Sequence, residues 1–145
     1  MNKEGITVAG NLIADVVYTI DVYPQKGNLT RMRNPVVHTG GINNLIIDLA
    51  RLDSKIPIKV SGVVGDDENG QFIVDSLREY PNINIEGIVK KGRTAVTFAM
   101  TEKESKQRTF FFDPGTSLEF NEKQIDFTDF GALESIIREI QRETK

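Results

Sequence analysis

The segment best equipped for chemistry is Thr39-Gly40-Gly41-Ile42-Asn43-Asn44. A glycine pair just before a helix lets the backbone approach a ligand with no Cβ in the way. The first helical turn has free N–H groups that can bond to oxygens. An asparagine side chain offers both a donor and an acceptor, which suits a sugar hydroxyl. The plainer reading is a tight strand-to-helix turn with an asparagine cap. A second segment, Gly10-Asn11-Leu12-Ile13-Ala14-Asp15, places a carboxylate just past the end of the first predicted strand. Ligands of open α/β sheets bind at the carboxyl ends of strands, and a carboxylate there could accept two hydrogen bonds from vicinal hydroxyls. As a plain loop residue, Asp15 would be solvated or form a local turn.

Other chemistries are excluded by residue type. The chain has no cysteine, so disulfides, zinc–thiolate sites and thiol catalysis are ruled out. His38 is the only histidine, which rules out a His-based triad or a multi-His metal site. It could lie near the ligand loop, although a half-buried strand histidine is the plainer reading. Neither G-x-x-x-x-G-K-[ST] nor G-x-G-x-x-G nor G-x-S-x-G occurs. Gly65-Asp66-Asp67-Glu68-Asn69-Gly70 looks like a calcium loop, but placing Gly70 at the invariant glycine puts Gly65 at the first ligand position. That loop reads instead as a helix start, with acids near the positive helix end, and no metal site is expected. The net charge of −3 comes from scattered charges without a basic stripe, which argues against a nucleic-acid partner. No apolar run approaches a membrane span and the start lacks a signal-peptide pattern, so a cytoplasmic protein is expected.

The positioning elements follow from periodicity. Strands are predicted at 5–10, 16–21, 58–64, 83–89, 94–101 and 107–112, with a further extended segment at 30–38. Pro35 puts that segment at a sheet edge. Helices are predicted after Gly41, with Leu45, Ile46, Leu49, Ala50 and Leu52 as the apolar face, and from Gln71 to Glu79. A last helix is predicted over Ala132 to Glu143, with Glu134 and Arg138 as an i,i+4 pair. The order of strands and helices predicts an α/β sheet carrying a small antiparallel flap. Val96, Phe98, Phe110 and Phe112 could form an apolar wall over a ligand, or simply pack in the sheet.

The order and spacing of these segments resemble the N-terminal half of the ribokinase-like (PfkB) carbohydrate kinases. The shared features are Gly10-x-x-x-x-Asp15, Pro24-x-x-Gly27, Gly40-Gly41 with Asn44, Asp48-Leu49-Ala50-Arg51-Leu52, Val63-Val64-Gly65-Asp66-Asp67-x-x-Gly70, and Thr94 to Phe112 followed by Pro114-Gly115-Thr116-Ser117. The resemblance covers about residues 5–127. It implies a partial ribokinase-like fold: a central, mostly parallel sheet flanked by helices, with a β-strand lid at about residues 16–38 and 92–112. It also implies that Asp15, Gly40, Gly41 and Asn44 grip a sugar beneath that lid. Two departures stand out. Only Ile42 and Asn43 separate the glycine pair from Asn44, one residue fewer than in the family, so Asn43 could take the role of Asn44.

The second departure is that no G-A-G-D motif occurs. In the family, the Asp of that motif is the catalytic base, and ATP binds in the same C-terminal half. The base takes a proton from a sugar hydroxyl, which attacks the γ-phosphoryl of Mg-ATP. The resemblance therefore implies a sugar-binding half without its catalytic residue, from which no turnover and no binding of ATP or Mg2+ is expected. It reads as truncated after the lid loop. A non-catalytic sugar or nucleoside binder is the alternative, and a remnant or truncated chain without activity is another. Half a sheet leaves an unpaired edge, so self-association through the lid strands or that edge is expected.

Overall fold

Short β-branched runs punctuated by glycine give this chain two sheets. The computed structural model describes residues 5–125. The first sheet is parallel, in the order β1-β4-β5, from β1 (Ile6–Ala9), β4 (Ile58–Val64) and β5 (Ile83–Lys90). As the central strand, β4 is flanked on both sides, and six of its seven residues are buried. Two helices, α1 (Ile42–Leu52) and α2 (Glu68–Arg78), bury their apolar stripes on one face of this sheet. Ile46 and Ala50 of α1 and Ile73, Val74 and Leu77 of α2 meet Val8, Ile58, Val60 and Val64 there. Leu45 and Leu52 lie outside that stripe, 53% and 82% exposed, so the apolar face of α1 is narrower than its sequence predicts.

The second sheet has the order β3-β2-β6-β7, from β2 (Leu12–Ile20), β3 (Met32–Gly41), β6 (Ala95–Glu102) and β7 (Arg108–Asp113). β2 runs antiparallel to β3 and parallel to β6, and β7 returns antiparallel along β6. Pro35 sits on β3, an edge strand, where a missing N–H breaks no ladder. The predicted strand at 16–21 begins four residues earlier, at Leu12. Asp15 therefore lies within β2, not in a loop past β1. The α2 helix starts at Glu68 because Asp67 caps it, accepting a bond from the Gly70 amide at 2.8 Å. Two short 3-10 turns, Ser117–Glu119 and Glu122–Gln124, follow β7. The helix expected at Ala132 to Glu143, with its Glu134–Arg138 pair, lies outside the described residues.

One polar knot ties the two sheets together. The Asp67 carboxylate accepts bonds from the Thr94 hydroxyl at 2.5 Å and the Thr94 amide at 2.8 Å. The Thr94 hydroxyl in turn accepts from the Gly65 amide at 2.9 Å. Burial pushes the Asp67 carboxyl up, but the bonds from Thr94 and Gly70 and the nearby Arg93 charge outweigh it and hold the group below its usual range. A depressed carboxyl stabilises the fold above its unfolded-chain value, about 3.9, and loses that contribution as pH falls through the lower folded value. Asp67→Asn is expected to cost about 1 kcal/mol at pH 7 in urea unfolding. The gap to the parent should close toward pH 3; an equal gap at both pH values would rule out the charge as its source.

Candidate functional site

The pleat of β2 and the register of its neighbours assemble the candidate site. Asp15 on β2 lies opposite His38 on β3 and beside Thr97 on β6. Paired residues share a face of the sheet, and residues two apart along a strand do also. Asp15, His38, Thr97 and Gly40 are therefore on one face. A Cβ built on Gly40 would fall 2.4 Å from the Asp15 Cγ and 2.4 and 2.5 Å from its two carboxylate oxygens. The Asp15 carboxylate thus lies over the bare Cα of Gly40, in space any larger residue would fill. No described residue donates a hydrogen bond to that carboxylate, and Asp15 is half-buried.

Gly41 turns the chain from β3 into α1. Its φ of 60° is left-handed, and a Cβ there would meet the Asn11 carbonyl oxygen at 2.4 Å. Gly41 is the residue before the first helical turn, and no side chain caps that turn. The asparagine cap of the plainer reading is therefore not present. Asn43 is fully buried, and its Nδ2 donates to the Gly40 carbonyl at 2.7 Å and the Ile13 carbonyl at 3.2 Å. It braces the turn that carries Gly40, and its Oδ1 is buried without a partner. Asn44 is exposed, and its Oδ1 accepts from the Thr39 hydroxyl at 3.1 Å. Thr39 alternates with His38 and so points to the face opposite Asp15. The structure thus brings Asp15, Gly40 and Gly41 together, sets Asn43 behind them and turns Asn44 away.

The apolar wall does not form as one surface. Val96 pairs with Asp113, Phe98 with Phe111, and Ala99 with Phe110. Phe110 and Phe112 therefore share the Asp15 face, while Val96 and Phe98 lie on the other face with Phe111. The four residues named from sequence are split between the two sides because hairpin register pairs even positions of β6 with odd positions of β7. Thr97 has no role in the sequence reading, and His38, allowed there a place near the ligand loop but read more plainly as half-buried, stands exposed on β3. Their places follow only from cross-strand register, which no local pattern reveals. Among the described residues, no three His, Cys, Asp or Glu side chains cluster to hold a metal. No described helix is long and apolar enough to cross a membrane.

Comparison with known proteins fits this architecture. A family model described as pfkB family carbohydrate kinase matches residues 3–138. No curated protein matches the chain. Among solved structures, ribokinase from Thermotoga maritima superposes with a TM-score of 0.74 at 20% identity, covering 86% of this chain and 41% of that one. Arabidopsis thaliana ribokinase, solved with ribose and ATP, gives 0.68 at 20% identity, over 77% of this chain and 36% of that one. The nucleoside kinase of Methanocaldococcus jannaschii gives 0.66 at 18% identity, over 77% and 37%. The chain spans roughly two fifths of the length of the first of these structures. At such identities the superpositions show a shared ribokinase-like fold, and with the family match over most of its length, the chain belongs to the pfkB family of carbohydrate kinases.

Proposed function

We propose that this chain binds the acceptor of a phosphoryl transfer, a polyol of sugar size, through Asp15 and the Gly40–Gly41 turn. The observation that carries this reading is the unpaired Asp15 carboxylate held over the bare Cα of Gly40. A carboxylate accepts from two hydroxyls at once, and glycine at position 40 leaves room for that carboxylate where any larger residue would displace it. The ligands bound in the Arabidopsis ribokinase structure, ribose and ATP, agree with a sugar acceptor and an ATP donor in the family. The donor side does not fit the residues of this chain: the sequence has no G-A-G-D and no phosphate-binding glycine loop, and the described residues form no metal cluster. No step through ATP or Mg2+ is therefore assigned to it. Where ATP is the donor, the cytoplasm is the natural setting.

Calorimetry with pentoses, hexoses and nucleosides is expected to find a ligand, and Asp15→Asn should weaken it at least about tenfold. With that ligand and Mg-ATP, a coupled assay should detect no turnover. Absence of binding by every probe would refute the site, and clear turnover would refute the missing donor side.

We infer self-association as well. Edge strand β7 exposes Phe110, Phe111 and Phe112 at 59%, 51% and 52%, on both faces of the sheet. Such an edge pairs readily with another chain. Light scattering at micromolar concentration is expected to give a dimer or larger; a monodisperse monomer would contradict this.

A further inference from the structure

The face of the second sheet that carries Asp15 is built in rows, with one polar row set between two apolar ones and a further polar row, Thr19, Thr101 and Arg108, beyond them. The first row is Gly40, Ile13 and Ala95. The third is Val36, Val17, Ala99 and Phe110. Between them lies the second row, His38, Asp15 and Thr97, ending on Phe112. Three adjacent strands each place a hydrogen-bonding side chain in this row, with apolar residues on both sides. None of the three side chains bonds to a described residue. His38 is exposed and Asp15 and Thr97 are half-buried, so all three are open to a ligand that bonds to them.

We propose that His38 and Thr97 are specificity-determining residues that read the hydroxyls flanking those held by Asp15. Strands lie about 4.8 Å apart, so the row from His38 to Thr97 spans about 9.6 Å. A pentose or hexose ring with its hydroxyls fits within that span. Histidine offers a donor and an acceptor, and threonine a hydroxyl that does both. Phe112 closes the row with an apolar ring for the C–H side of the sugar. The ligand class is therefore a polyol with at least three consecutive hydroxyls, and its stereochemistry at the outer two is set by His38 and Thr97. This inference rests on Asp15 binding a polyol.

The test is calorimetry of the whole chain with D-ribose and D-fructose, and with single-deoxy analogues of whichever binds. His38→Ala and Thr97→Val should each weaken the parent sugar about three- to tenfold. His38→Gln should recover most of the loss, since it restores a donor and an acceptor. Each loss should vanish for the one deoxy analogue lacking the hydroxyl that residue reads, which no purely structural role would produce. His38 is exposed on an edge strand and Thr97→Val keeps its shape, so both variants should match the parent in urea midpoint. If both bind every analogue as the parent does while Asp15→Asn loses binding, the row is overturned and the Asp15 site stands. A failure of His38→Gln to recover affinity would overturn the hydrogen-bonding role of His38. If the parent binds neither sugar, this three-hydroxyl inference falls for ribose and fructose, while the Asp15 site falls only if the wider panel of pentoses, hexoses and nucleosides also fails to bind.

Discussion

Gly65→Ala is expected to destabilise the fold by about 3 kcal/mol or more. A Cβ there would sit 2.2 Å from the Thr94 nitrogen, 2.6 Å from the Arg93 carbonyl carbon and 2.6 Å from an Asp67 carboxylate oxygen. Two of these contacts are backbone, which cannot rotate away as a side chain can. Relief requires the start of β6 to move off the end of β4, and that breaks the bonds from Thr94 to Asp67 and from Gly65 to Thr94. Losing part of a buried knot adds to the steric cost. Gly27→Ala is the control: its φ is +86° but nothing lies within 4 Å of the added carbon, so it should cost about 1 kcal/mol. Urea unfolding of the two variants decides the matter. Equal midpoints would mean that the Gly65 contact relaxes without breaking the knot.

Gly40→Ala should do the opposite, leaving stability nearly intact and removing ligand affinity. The three atoms nearest its added carbon are all at the end of the Asp15 side chain, at 2.4 to 2.5 Å. A rotamer change relieves that clash, so the fold survives. The same change takes the carboxylate away from the place where hydroxyls would meet it. Losing hydrogen bonds to a charged group weakens binding by about 10- to 100-fold. Gly41→Ala makes a useful contrast, because its carbon meets the Asn11 backbone oxygen at 2.4 Å and its φ is left-handed. It should lose stability and affinity together. An alanine at position 40 that binds the sugar as tightly as the parent would mean that Asp15 is not the group that holds it.

Much of the framework could be read along the chain. Ile58 to Val64 is a strand with those same limits, because four β-branched residues among seven, bounded by turn residues, favour a strand. The glycine pair before α1 and the acid-rich start of α2 were equally legible, since caps and left-handed turns depend on a few neighbouring residues. Asn43 was partly legible: it falls on the same helical stripe as the buried Ile46 and Ala50. That spacing alone marks it as an interior residue, leaving Asn44 on the surface. Asp15 was misplaced because Gly10 and Asn11 look like the start of a loop. The structure uses them as a sharp corner between two strands.

Residue type and short-range spacing determined most strands and the glycine turn into α1, while the order of motifs along the chain carried the family resemblance and, through it, the pairing of Asp15 with that turn. They did so because turns, caps and amphipathic stripes are decided by residues within a few positions of each other. Tertiary structure alone decided which phenylalanines share a face with Asp15, and that His38 and Thr97 stand beside it. Those facts depend on strand register, and a shift of one residue inverts every side chain of a strand. Register is set by hairpin length and by packing between distant segments, so it is not written in any one of them.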